Sequence, residues 1–274
     1  MLALAACGAA APTQAQTDDV GVGPLVIASA RVWIEVLVPA GGDLTAALDR
    51  ARTTAQHEGL QLVDALPKAP TAPTATVELA SLGDQEWRSE LRDGGGYVSM
   101  KVAKPELAQM QLAIGVVEIH AVGPATRNWD VVRAGMHTAN DLAQAIHGWV
   151  YKSSRVFDVA SLAETVTALD HRDVRDFVRI MTVASKRGPS HARTIGLSSF
   201  GMPELYAPVP EALLDRVEPV LLATAQQLIE HGVTRRGAID VGTLTWQARW
   251  IHDPVNPALI EIELTTPDLA AALR

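Results

Sequence analysis

Four residues in one short stretch carry side chains suited to acid–base or nucleophilic chemistry: His191, Arg193, Ser198 and Glu204. The stretch also holds Gly196, Gly201 and Pro203, so it reads as a loop between a strand and a helix. A loop of that make-up can fold back and bring Arg193, Ser198 and Glu204 together. With Ser198 as nucleophile and His191 as its base, the chemistry would be hydrolytic. The spacing opposes the strained Gly-x-Ser-x-Gly elbow, because Phe200 follows Ser199 and Gly201 arrives one residue late. The plainer reading is a turn whose polar side chains cap backbone groups.

A second constellation is His137, Asp141 and His147. His137 and Asp141 lie four apart, on one face of a helix, and His147 returns to a similar face. A metal needs a third converging ligand, which would have to come from elsewhere, such as His120. No His-Glu-x-x-His pattern is present, so neither a metal nor another cofactor is expected. Asp170-His171-Arg172-Asp173 reads as a helix start, where the dipole favours Asp. Trp246 and Trp250 share a strand face, and core packing explains them more simply than a stacking platform. Gly94-Gly95-Gly96 lacks the Lys and Ser/Thr of a phosphate loop and reads as a turn.

Taken with Trp149–Asp158, the segment Thr194, Gly196, Phe200, Gly201, Pro203, Glu204 and Leu205 resembles an uncharacterised bacterial family known as a domain of unknown function. In that family a Thr-x-Gly-x-x-x-Phe-Gly-x-Pro-Glu-Leu pattern precedes a long C-terminal helix. The resemblance brings no activity with it.

The other residue with a specific chemistry is Cys7. Leu4-Ala5-Ala6-Cys7 resembles a bacterial lipoprotein signal, in which small residues precede the cut and the sulfur takes the lipid. The charged n-region and a full apolar stretch are missing, so the resemblance is to a shortened signal. Thr13-Gln14-Ala15 offers a second, ordinary cleavage site, and a plain Ala-rich leader is the third reading. Residues 8–23 are Ala, Pro, Thr, Gln and Gly with two Asp and two Val, too poor in apolar surface to fold, which suits a tether. The expected organisation is therefore a signal and tether over 1–24 and a body over 25–274. A join between two lobes, if the body has them, falls within 158–188.

The elements that must position these groups follow from periodicity. Ala30–Val38 reads as a strand. Asp43 caps a helix to about Glu58, closed by Gly59. Leu60–Leu66, Thr74–Leu82, Tyr97–Ala103 and Val116–Val122 read as strands, and Pro105 opens a short helix. Thr126–His147 is a long helix, and Trp149–Tyr151 with Val156–Asp158 is a kinked strand. Ser161–Leu169 and Val174–Ile180 read as helical. Ala192–Ser199 is a strand, Pro210–His231 a long helix ended by Gly232, and Gly242–Ile251 with Leu259–Thr265 a hairpin across Asp253-Pro254. Without strict βαβ order, the fold class is α+β: a mixed, largely antiparallel sheet packed with helices.

Of 274 residues, 48% are hydrophobic, enough for a substantial core. The 31 Asp and Glu against 23 Lys and Arg give a net charge of −8, which argues against nucleic acid as a partner. One cysteine excludes an internal disulfide. No complete catalytic motif is present, which leans away from an enzyme. The expectation is an exported protein, lipid-anchored in the cytoplasmic or outer membrane and facing the periplasm or exterior. Its expected work is binding or interaction, with a protein partner in the envelope. A hydrolase using the 191–204 loop, or an immunity-type protein meeting a basic toxin, are the alternatives.

Overall fold

The computed structural model describes residues 29–80, 104–152, 155–185, 190–232, 236–252, 260–267 and 269–273. Cys7, the tether, Gly94–Gly96, the strand expected over Tyr97–Ala103 and the Asp253-Pro254 turn lie outside the described residues. The fold is α+β, built on two mixed, mostly antiparallel six-stranded sheets.

The first sheet contains β1 (Ala30–Val38), β2 (Gln61–Leu62), β3 (Thr74–Ala80), β4 (Gly115–Gly123), β5 (Trp149–Lys152) and β6 (Arg155–Phe157), in the order β2-β3-β4-β1-β5-β6. Alternation decides which face is covered. Val32, Ile34, Val36, Val117, Ile119 and Ala121 point into the main core. That face lies under α1 (Leu44–His57) and α3 (Asn128–Ile146). On the opposite face Leu37 and Val116 pack with Met110 of α2 (Lys104–Gln111) and with Tyr151.

Each helix begins and ends for a local reason. The Asp43 carboxylate accepts from the Thr45 and Ala46 amides at 2.9 and 3.1 Å, the N-cap of α1. Asp158 does the same for α4 (Val159–Asp170), accepting from Ser161 N at 2.7 Å. His147 ends α3 in the left-handed region at φ 52. Gly135 sits mid-helix in α3 because a Cβ there would stand 2.6 Å from Val32 Cγ1. Its absence lets the helix approach β1.

The second sheet contains β7 (Arg179–Val183), β8 (His191–Ile195), β9 (Glu204–Pro208), β10 (Arg236–Val241), β11 (Leu244–His252) and β12 (Ile260–Thr265), ordered β10-β11-β12-β9-β8-β7. β9 and β12 are parallel, which requires the crossover through α5 (Glu218–His231). A last short helix, α6, spans Leu269–Ala272. One continuous core joins both sheets, running from Val32 and Ile34 through Phe200 and Leu205 to Trp246. No helix of the described residues is long and apolar enough to cross a membrane.

Several elements differ from the sequence reading. Val174–Ile180 is a single helical turn, closed by Val178 N to Val174 O at 2.7 Å, that runs into β7. The strand from Ala192 stops at Ile195, because Gly196 takes φ +121 and turns the chain. The loop after it leads to β9, not directly to a helix. The helix expected from Pro210 is a 3-10 segment (Glu211–Arg216) followed by α5, with Pro219 in the first turn, where its missing N–H costs nothing. Of the strand expected over Leu60–Leu66, only β2 pairs. Asp170–Asp173 ends a helix instead of starting one. Asp170 closes α4 against the dipole, and Arg133 and His137 of α3 meet its carboxylate at 2.9 and 2.8 Å.

Candidate functional site: the 191–206 hairpin and the clefts beside it

β8 and β9 pair antiparallel through His191–Pro208, Ala192–Ala207 and Arg193–Tyr206. Beyond Arg193 the ladder opens. Leu205 N donates instead to the Thr194 hydroxyl at 2.7 Å, and that hydroxyl donates to Glu204 Oε2 at 2.8 Å. The chain between the strands forms a 3-10 turn over Leu197–Phe200. Such a turn starts with amides that have no partner inside it. Glu204 supplies one: its oxygens accept from Gly196 N at 3.0 Å, Leu197 N at 3.2 Å and Ser198 N at 3.0 Å.

The other motif positions fit the same clasp. Gly196 (φ +121) and Gly201 (φ 78) bracket the turn in backbone conformations that side chains disfavour. Phe200 is fully buried and packs edge-on against Trp129 at 5.0 Å and Phe177 at 5.5 Å between ring centroids. Those rings belong to α3 and to the turn before β7, so the clasp pins the first half of the chain to the second. Leu205 is also fully buried.

Under the turn lies a group the sequence reading passed over. Lys152, the last residue of β5, is buried and donates from Nζ to Ser199 Oγ at 3.1 Å. Its ammonium also stands 4.0 Å from the centre of the Phe177 ring. Burial pushes this lysine down to about 8, and the Glu204 charge opposes that shift. A lysine closing a strand carries no sequence mark of burial, so only the packing reveals it.

The candidate catalytic residues therefore separate. Glu204 meets Ser198, but through the serine's backbone amide. The Ser198 residue itself is exposed. His191 faces Tyr206, ring centroids 5.0 Å apart, and among the described residues no hydrogen bond joins it to Ser198. Arg193 reaches past β9 to β12 and pairs with Glu261 at 2.6 Å. The arrangement caps backbone and balances charge. Among the described residues it does not join Ser198 to His191.

The weak metal candidates also separate. Asp141 accepts two bonds from Arg50, both 2.8 Å, and one from Thr54 at 2.8 Å, clipping α1 to α3. The guanidinium beside it holds its carboxyl below the usual range. His137 is bonded to Asp170 at 2.8 Å, and His147 is the cap of α3. Among the described residues, the one group of three or more His, Cys, Asp or Glu whose ligand atoms lie within 4.8 Å of one another is Glu78, Glu118 and His120. Of the three histidines weighed for a metal, His137, His147 and His120, only His120 belongs to it. Trp246 is fully buried and donates its indole N–H to Thr224 at 3.0 Å, so it is core, not platform.

Two clefts open where α4 ends. One, of about 770 Å³, runs between Arg172–Arg175 and α5, with Pro219, Leu222 and Ala223 among its lining. The other, of about 380 Å³, lies at the start of α3 and shares Arg172 and Glu230 with the first. Arg172 takes φ 55, uncommon without glycine, and Gln226 of α5 steadies the bend by donating to Arg172 O at 2.7 Å. No family model, no curated protein and no solved structure matches this chain.

Proposed function

We propose that the protein is an envelope-anchored binding protein, held to a membrane by lipid on Cys7, and that it engages its partner at the cleft between Arg172–Arg175 and α5. The observation that carries the reading is that cleft, whose lining mixes apolar Val174, Pro219 and Leu222 with charged Arg172, Arg175 and Glu218. Apolar concavity with a few polar groups at its edge is the usual make-up of a binding site. The 191–206 hairpin lends support from the other side, because Glu204 and Thr194 are occupied in holding the turn. The fold's large acidic balance suits a partner with basic groups.

The test places a photo-crosslinking residue at Ala223, in the cleft wall, and at Arg52 on α1 as a control, in the full chain carrying a complete signal in a bacterial host. The proposal expects a discrete cross-linked species from Ala223 and not from Arg52, lost when Leu222 is changed to Asp. It also expects membrane retention that disappears in Cys7→Ala. Equal cross-linking from both positions would overturn the binding reading, and unchanged fractionation of Cys7→Ala would overturn the anchor.

A further inference from the structure

We propose that Glu78, Glu118 and His120 form a binding site for a divalent transition-metal ion, Zn²⁺ being the best fit. Strand register brings these residues together. Glu118 and His120 are two apart on β4, so both project from the face opposite the one that buries Val117, Ile119 and Ala121. Glu78 of β3 stands directly opposite Glu118. One strand further, Glu35 of β1 stands opposite Glu118 from the other side, nearly fully buried. Four donor-bearing residues thus share one patch of a rigid sheet.

The side chains converge within that patch. His120 Nε2 lies 3.1 Å from Glu118 Oε2, and one ligand atom from each of Glu78, Glu118 and His120 falls within 4.8 Å of the others. Ligand atoms around a zinc ion stand about 2.0–2.2 Å from the metal, so the three side chains need only draw together around it. The Glu118 and His120 side chains are 13% and 26% exposed, sheltered enough to strengthen an ion contact yet open to entry.

The donor types select the ion. One imidazole with two carboxylates suits Zn²⁺ and its neighbours, whereas Ca²⁺ prefers an all-oxygen shell. Three protein ligands would leave a coordination position for water or for a partner's side chain. The imidazole is also oriented from outside the set. Trp33, opposite His120 on β1, lies against it with ring centroids 4.8 Å apart and is 58% exposed. Trp33 therefore reports on the site optically.

The test uses the full chain, stripped with chelator and titrated with Zn²⁺ alone while tryptophan fluorescence and heat are read together. The expected result is one saturable equivalent, with a fluorescence change that Trp33→Phe removes while the heat of binding stays. Glu78→Gln, at an exposed position that leaves the fold intact, and His120→Ala should each weaken Zn²⁺ binding at least about tenfold. His57→Ala, an exposed histidine on α1, should change nothing. Absence of saturable Zn²⁺ binding, wild-type affinity in Glu78→Gln or His120→Ala, or a preference for Ca²⁺ over Zn²⁺ would each overturn the proposal.

Discussion

Glu204→Ala is expected to destabilise the protein by about 3–5 kcal/mol. The substitution removes the acceptor of three backbone amides and of the Thr194 hydroxyl in one step. Each buried donor left without a partner costs about 1–3 kcal/mol, and the exposure of Ser198 lets water recover part of the loss. In a chain of this size that corresponds to roughly a 10 °C fall in the melting midpoint. Glu204→Gln keeps one acceptor oxygen but turns an NH₂ toward N–H groups, so about half the loss is expected. Urea unfolding with an unchanged denaturant slope is the measurement. A loss below about 1 kcal/mol in Glu204→Ala would mean that the turn holds itself.

Lys152 gives the second large effect, through pH. Its ammonium titrates near 8 in the folded chain against 10.5 for an unburied lysine. Between those values the unfolded chain binds the proton and the folded chain does not, so stability rises with pH across the window. The burial penalty is present in full below about pH 8 and is gone above about pH 10.5. Its size is about 3 kcal/mol. Lys152→Met keeps the side-chain volume and removes the charge. The wild-type protein should therefore gain about 3 kcal/mol on Lys152→Met between pH 8 and pH 10.5. Taking the difference cancels every group common to both chains, Tyr206 included. At pH 7 the variant should be no less stable than wild type, because a buried ion exchanged for a well-packed apolar group is commonly neutral or favourable. Parallel stability curves for the two chains would rule out the charged, buried state.

What the sequence revealed depended on whether local pattern and tertiary demand agreed. β1 and β4 alternate, Asp43 and Asp158 are strong caps, and α3 carries a continuous apolar face, so these elements were legible. β9 and β10 were not. β9 is five residues long, starts with Glu204 and ends with Pro208, and its partners lie far along the chain. β10 carries Arg236, Gly237 and Asp240 and gains its strand character from pairing with β11. Val174, Phe177 and Val178 have helical spacing because they do form one turn, and β7 then takes over to pair with β8. Spacing alone does not tell one turn from three.

The site was legible in the same uneven way. The 194–205 segment was singled out because two glycines, a proline and a glutamate are costly unless the backbone needs them. Its role as a cap was the plainer of the two readings. The geometry shows what the glutamate does there. Glu78 was missed because its partners lie on another strand, and Glu118 because a carboxylate on a strand usually means a solvated face. The signal that was available is Glu118-x-His120 on a strand with a buried opposite face, a spacing that puts a carboxylate and an imidazole side by side.

The central claim is that the segment richest in reactive side chains is a clasp closed by Glu204. Backbone amide hydrogen exchange at Gly196, Leu197 and Ser198 tests it most directly. The clasp predicts that all three amides exchange slowly in the native chain and that Glu204→Gln accelerates them while the amides of β1 and α3 keep their protection. Fast exchange at these three amides in the wild-type protein, or no change on removing the carboxylate, would contradict it.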